Sequence, residues 1–206
     1  MSHQHFIVLY VMVPLWLLAG LADWACHARS DIEHTSGTRE SALHLVMLFE
    51  VGLPLLAAIY LEVNALVLGL LCAGFLLHEA TAYVDVRYTA PRRRISVFEQ
   101  FVHSVLEMSP LMILLLLASA HWEQWLALWG LAAPAEFVVL KSTQAPSPPY
   151  TFMLCIAIAL LALLPYVEEY VRARRARPHI AAVAGPASAR EEAGATRGRG
   201  ARRDTR

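Results

Sequence analysis

Charged residues are scarce in this chain, and the motifs of many soluble enzymes are missing from it. Only 17% of its 206 residues are Asp, Glu, Lys or Arg, whereas 57% are hydrophobic and the mean hydropathy is +0.47. This composition excludes an ordinary soluble domain. The sequence also contains no glycine-rich nucleotide loop, CxxC pair, GxSxG elbow or HExxH zinc motif. No local motif therefore assigns its chemistry.

Cysteine is also rare, and its pattern excludes a disulfide framework. Cys26, Cys72 and Cys155 are odd in number, widely spaced and set in apolar segments. Cys26 precedes His27 and is a possible soft metal ligand, but an ordinary small helical residue is the simpler interpretation.

Long hydrophobic runs are what the sequence has in abundance. A run of about 20 apolar residues can cross a bilayer as a helix, which satisfies its own backbone groups in lipid. Five spans are predicted, at residues 5–26, 41–61, 64–84, 96–119 and 150–167. The first lacks a basic leader and a small-residue cleavage site, so we expect a mature helix rather than a signal peptide. The fold class is therefore predicted to be an all-α integral membrane protein, with residues 1–170 as its transmembrane helical domain.

Positive charge is unevenly distributed and predicts an orientation. Residues 171–206 hold ten arginines but few large apolar residues, so we expect a disordered basic cytosolic tail. Arginines also follow the first and third spans, whereas the segments on the other side of the membrane hold a single basic residue, Lys141. The positive-inside rule then places the N-terminus outside and the C-terminus in the cytosol. Because arginine-rich, lysine-poor usage is typical of GC-rich bacterial genomes, we expect a multi-pass protein of the inner (plasma) membrane.

Four of the spans carry a histidine near a carboxylate, each at its predicted cytosolic end. In chain order the pairs are Asp23/His27, Glu40/His44, His78/Asp85 and Glu99/His103. A spacing of four or seven residues places both members of a pair on one helix face. Ionisable groups cost several kcal/mol each in a bilayer, so their convergence indicates a functional site. We expect a four-helix polar core, with the fifth helix packed alongside.

Imidazole and carboxylate groups in such a core are typical ligands of metal ions. Neutral imidazole suits zinc, iron, copper or nickel, whereas several carboxylates favour iron or manganese. All eight paired residues are therefore predicted ligands of two metal ions, iron in preference to zinc. The donor set is similar in chemistry to that of membrane di-iron hydroxylases and desaturases. The HxxxH and HxxHH boxes of those enzymes are absent, as are the ExxH repeats of ferritin-like proteins.

Three further carboxylates, Glu50, Glu79 and Glu107, lie deeper in the predicted spans. Each is a candidate for catalytic proton transfer beside a metal centre. A proton relay or a purely structural polar network is the alternative interpretation of the whole set, because membrane histidines and carboxylates also serve those roles.

The predicted function is oxygen-dependent hydroxylation or desaturation of a lipid-like substrate by a membrane di-iron oxidoreductase. The expected partners are membrane lipid and a separate electron donor, because the sequence has no flavin or iron–sulfur motif; no nucleic acid is expected. A zinc-dependent membrane lipid hydrolase is a second possibility. A metal or proton transporter is a third, but it would need polar groups through the external halves of the helices, which are nearly all apolar.

Overall fold

The described part of the chain, residues 2–132 and 134–183 of a computed structural model, folds into six helices without a β-strand. Five of the helices are long and apolar enough to cross a membrane, which suggests a multi-pass membrane protein. The helices are α1 His3–Arg29, α2 Gly37–Tyr60, α3 Ala65–Thr89, α4 Val97–Ala120, the short α5 Trp122–Leu128, and α6 at residues 148–183. The predicted all-α architecture with five long apolar helices is confirmed.

Two of the long helices contain a π-helical stretch, at Val8–Met12 in α1 and at Ala159–Leu163 in α6. A short 3-10 turn, Ile32–His34, joins α1 to α2. The connection from α5 to α6 returns along the end of α2, where Leu61 and Lys141 form an isolated antiparallel bridge.

Local sequence signals determine where α3 and α4 begin. The Asn64 side chain accepts hydrogen bonds from the backbone amides of Leu66 and Val67, which caps α3. Ser96 and Glu99 form a capping box at the start of α4, each side chain accepting from the other residue's backbone amide. The capping box holds Glu99 at the first turn, where its second carboxylate oxygen is directed into the bundle.

The five long helices pack as a ring. Helix α1 packs against α4 and α6, α3 packs against α4 and α2, and α2 closes the ring against α6. One half of the bundle has an apolar core with Leu68, Ile113 and Leu117 almost completely buried. The outer faces are also apolar, with residues such as Leu53, Leu76 and Leu164 exposed, as suits contact with hydrocarbon rather than water.

Helices α2 and α3 approach each other closely at Gly74. Pro54 has no backbone N–H, so within α2 the carbonyl of Glu50 lacks its usual helical donor. A Cβ atom at Gly74 would lie 2.4 Å from that carbonyl oxygen, which no real side chain tolerates. Glycine at position 74 therefore allows the two backbones to approach.

Helix α6 is longer than the predicted span at 150–167. It continues to residue 183, past the predicted start of the tail at residue 171. Alanine and arginine are good helix formers, and Arg172 Nε donates to Glu168 Oε1 at 3.1 Å one turn earlier. The predicted disordered tail from residue 184 onward lies outside the described residues.

Candidate metal centre

Seven of the eight predicted ligands converge at the end of the bundle where α1 ends and α2 begins. Together with two residues described below they form the polar cluster: Asp23, His27, Glu40, His44, Asp85, Arg93, Glu99, His103 and Glu169. Among the seven, only His103 is more than slightly exposed, with 18% of its side chain accessible. Side chains spread over 147 positions of sequence, from 23 to 169, are thus gathered in one buried volume.

His27 occupies the middle of the polar cluster. Its Nε2 atom lies 3.4 Å from Asp23 Oδ1 and 3.4 Å from Glu99 Oε1. Within the described structure this buried nitrogen has no hydrogen-bond partner. Ligand atoms about 2.1 Å from a tetrahedral metal ion lie about 3.4 Å from one another, so the spacing is that of donors around an ion.

The rings of His27 and His44 are stacked and share one acceptor. Their centroids are 4.4 Å apart and the planes differ by 9°. The Nδ1 atom of each ring is 2.9 Å from a different oxygen of Glu169, on α6. If both Nδ1 atoms donate to Glu169, both Nε2 atoms are free to ligate, the arrangement in which carboxylates orient metal-bound histidines.

The expected four-helix polar core is wrong in one respect, because the fifth long helix contributes Glu169 to the polar cluster. The predicted span ended at residue 167 and left Glu168 and Glu169 outside it. The signal was present, since two adjacent carboxylates follow the fifth span at the same end as the four pairs. Glu168 is 46% exposed and accepts from Arg172, whereas Glu169 is fully buried.

A second histidine–carboxylate contact joins α4 to α1. His103 Nε2 is 2.9 Å from Asp23 Oδ1. The other Asp23 oxygen is 3.4 Å from the hydroxyl of Tyr166, a buried α6 residue that the sequence did not single out. The ligand atoms of Asp23, His27 and His103 lie within 4.8 Å of one another, and so do those of His27, Glu40 and His44. His27 is common to both groups.

Arg93 lies between two of the predicted ligands. Its Nη2 atom is 2.5 Å from Glu40 Oε1 and 2.5 Å from Glu99 Oε1, and its side chain is 2% exposed. Burial lowers the pKa of Arg93, but hydrogen bonds and charge from Glu40 and Glu99 outweigh burial and raise the pKa above its usual range. The sequence indicated a run of arginines here without distinguishing Arg93 from Arg92 or Arg94.

The polar cluster carries an excess of negative charge. The cluster contains one guanidinium and five carboxylates, which belong to Asp23, Glu40, Asp85, Glu99 and Glu169. With neutral imidazoles the formal charge is −4, which two divalent cations would neutralise and three imidazolium groups would reduce to −1. Buried charge must be compensated, so the site requires bound cations or protons.

The remaining predicted ligand, His78, lies outside the polar cluster and lines a cleft that adjoins it. His44 Nε2 is 3.7 Å from Asp85 Oδ2, and His78 is buried nearby on α3. The two ring nitrogens of His78 and the Oδ1 atom of Asp85 make no hydrogen bond within the described structure. Buried polar atoms are rarely left without a partner, so this side of the cleft is suited to a polar ligand.

The predicted catalytic carboxylates are placed differently from one another. Glu107 lines the cleft beside His103. Glu79 is absent from the residues that line the cleft. Glu50 accepts a hydrogen bond of 2.8 Å from Thr81 and lies in a separate small apolar cavity. Only Glu107 therefore shares the cleft with the polar cluster.

The cleft is lined by residues of all five long helices and contains about 650 Å³ of space not filled by atoms, including open solvent at its mouth. The polar end is formed by Asp23, His44, His78, Asp85 and His103. Trp16, Leu17, Met47, Leu48 and Leu106 form much of the apolar wall. A ligand in the cleft would place an apolar segment against the helices and a reacting atom beside the polar cluster.

A third group of possible ligands, Asp31, Glu33 and His34, lies in the loop between α1 and α2. His34 Nδ1 is 2.6 Å from Asp31 Oδ1, and this hydrogen bond raises the pKa of His34. Glu33 is paired with Arg172. Asp31 and His34 are both more than half exposed, so the group is an ordinary solvated surface rather than a built site.

Comparison with known protein families, curated proteins and solved structures found no match for this chain. The polar cluster and the cleft are therefore the features that bear on its function.

Proposed function

We propose that this chain is a multi-pass membrane enzyme whose polar cluster binds two divalent metal ions, iron in the first instance. The reaction is oxygen-dependent hydroxylation or desaturation of a lipid-like substrate. The observation that carries the proposal is the pair of stacked histidines oriented by Glu169, with His27 Nε2 left 3.4 Å from each of two carboxylate oxygens. At 3.4 Å both contacts are longer than an ordinary hydrogen bond, and the spacing suits donors around an ion.

Charge supports the presence of cations. With neutral imidazoles the polar cluster has a formal charge of −4, which two divalent cations would balance. Protonation of all three clustered histidines would leave one carboxylate charge uncompensated. Carboxylate-rich donor sets with imidazole favour iron or manganese, whereas a single ion with histidines suits zinc.

The apolar cleft supports a lipid-like substrate. Its walls are hydrocarbon side chains such as Leu17, Leu48 and Leu106, and the polar cluster lies at one end. An acyl chain in the cleft would be held by apolar contact, with a carbon atom beside the ligands. Activated oxygen chemistry is what a pair of irons would supply there, with electrons from a separate donor.

This chain's own residues then have separate roles. The proposed ligands are Asp23, His27, Glu40, His44, Asp85, Glu99 and His103, of which Glu40 and Glu99 also contact Arg93. Glu169 orients the two stacked rings from behind. Glu107, in the cleft wall, is the proposed proton donor or acceptor for the substrate.

A zinc-dependent lipid hydrolase is the second candidate, and Arg93 favours it. Because Arg93 already pairs with Glu40 and Glu99, the ligands Asp23, His27 and His103 could hold a single ion facing the cleft. Three protein ligands and a bound water are typical of catalytic zinc. A transporter is disfavoured because the core of the opposite half of the bundle is apolar.

The test is metal analysis of the full-length protein purified in detergent, followed by lipid analysis of cells that express it. Two irons per chain and a lipid product formed only in oxygen support the oxygenase. One zinc and an oxygen-independent product indicate the hydrolase. A folded protein without a stoichiometric metal ion overturns both.

A further inference from the structure

We infer that Arg93 is a built-in cation that occupies the position of the second metal ion and leaves it when that ion binds. The inference rests on the metal centre proposed above and deepens it. One guanidinium nitrogen, Nη2, lies 2.5 Å from an oxygen of Glu40 and 2.5 Å from an oxygen of Glu99. A divalent ion bound by both carboxylates would lie about 2.0–2.2 Å from each oxygen, somewhat closer than the guanidinium nitrogen does.

The other donors around Arg93 are those that a metal ion would use. His27 Nε2 is 3.4 Å from the same Glu99 oxygen that contacts the guanidinium. His27, Glu40 and His44 each offer a donor atom within 4.8 Å of the other two. Because His27 Nε2 can ligate only one of the two ions, the two carboxylates and His44 would remain as donors for the second ion once the guanidinium had moved.

Arg93 is also placed so that it can move. It lies in the connection between α3 and α4, whereas the other eight residues of the polar cluster lie on helices. Its neighbours Arg92 and Arg94 are exposed, and Arg92 stacks on Tyr88 at 3.8 Å from the ring centroid. The buried Nη1 atom of Arg93 has no hydrogen-bond partner among the described residues. Withdrawal of this side chain requires no helix to unwind.

This arrangement gives the two metal positions different affinities. An ion bound by Asp23, His27 and His103 meets no resident cation. An ion at Glu40 and Glu99 must displace a guanidinium that makes charge-assisted contacts with both carboxylates. Arg93 therefore sets how readily the second ion binds and keeps the carboxylates paired when that ion is absent.

The experiment is a titration of the metal-free, full-length protein with Co²⁺, followed by its visible absorption and by calorimetry. The variants are Arg93→Gln and, as a matched control from the same loop, Arg94→Gln. We expect the second Co²⁺ to bind at least about tenfold more tightly to Arg93→Gln than to the wild type, while Arg94→Gln matches the wild type. Unchanged or weaker binding of the second ion to Arg93→Gln overturns the inference.

Two further measurements separate this role from that of a structural ion pair. Arg93→Gln leaves Glu40 and Glu99 facing each other, so the metal-free variant is expected to be less stable than the wild type. Co²⁺ should restore its thermal stability, and Arg93→Lys, which keeps the charge, should still resist the second ion. A loss of stability that Co²⁺ does not restore contradicts the inference. If the wild type binds no Co²⁺, both the proposed metal centre and the role of Arg93 are wrong. If the wild type binds two Co²⁺ ions and Arg93→Gln binds them equally well, only the role of Arg93 is wrong.

Discussion

Glu169 and His27 are 142 residues apart in the sequence, yet Glu169 Oε2 lies 2.9 Å from Nδ1 of His27 inside the bundle. The same carboxylate holds Nδ1 of His44 with its other oxygen, also at 2.9 Å. One side chain on the last helix thereby sets the orientation of two rings on the first and second helices. The proposed metal centre depends on this shared acceptor.

Replacing Glu169 with Gln should weaken metal binding by about 10–100-fold, because an amide cannot accept from both rings with the strength of a carboxylate. Titration with a divalent metal gives the affinity, and thermal unfolding checks that the bundle is intact. Glu168→Gln is the matched control, since Glu168 is an exposed neighbour that contacts Trp24 and Arg172. Equal affinity in the two variants would remove Glu169 from the metal centre.

Glu107→Gln should abolish product formation while leaving metal content within about twofold of the wild type, because Glu107 lies in the cleft but outside the polar cluster. Glu50→Gln should retain activity, since Glu50 is bound to Thr81 in a separate cavity. Both are measured by lipid analysis beside metal analysis. Full activity of Glu107→Gln would leave the reaction without its proposed proton-transfer group.

Gly74→Ala should destabilise the protein by about 1–3 kcal/mol, because its Cβ would meet the Glu50 carbonyl oxygen at 2.4 Å. Gly52→Ala is the control on the facing helix, where the nearest atom would be 4.0 Å away on Trp16. Chemical or thermal unfolding of the detergent-solubilised protein gives the comparison. A similar stability for both variants would mean that the α2–α3 contact is looser than described.

The orientation can be measured with reporter fusions. Arginines after the first and third spans predict that fusions after residue 90 and at the C-terminus report the cytosol, whereas one near residue 143 reports the exterior. The polar cluster would then open towards the cytosol. A C-terminus outside the cell would mean that the protein has the opposite orientation and that its proposed ligands do not lie in the cytosolic leaflet.

The sequence predicts the five helices and most of the polar cluster because both follow from short-range periodicity. Asp23/His27 and Glu40/His44 are four residues apart, and the alternation of helix direction brings their ends together. Glu169 was missed because hydropathy ends the fifth span at residue 167, although the helix itself continues. Arg93 could not be distinguished from Arg92 and Arg94, since the path of a loop between two helices decides which side chain turns inward. The separation of Glu50 from the cleft likewise depends on the tertiary contact with Thr81.

The most direct test of the metal centre compares the metal content of the wild-type protein with that of His27→Ala, His44→Ala and His103→Ala. Each protein is purified at full length in detergent, with His3→Ala as a control because His3 lies at the exposed opposite end of α1. Mass spectrometry counts metal ions per chain, and thermal unfolding confirms that each protein is folded. Stoichiometric metal is expected in the wild type and in His3→Ala, with most of it lost from the three cluster variants, and the proposed metal centre stands or falls with this result. Folded cluster variants that retain the full wild-type metal content, or a folded wild type with none, would contradict it.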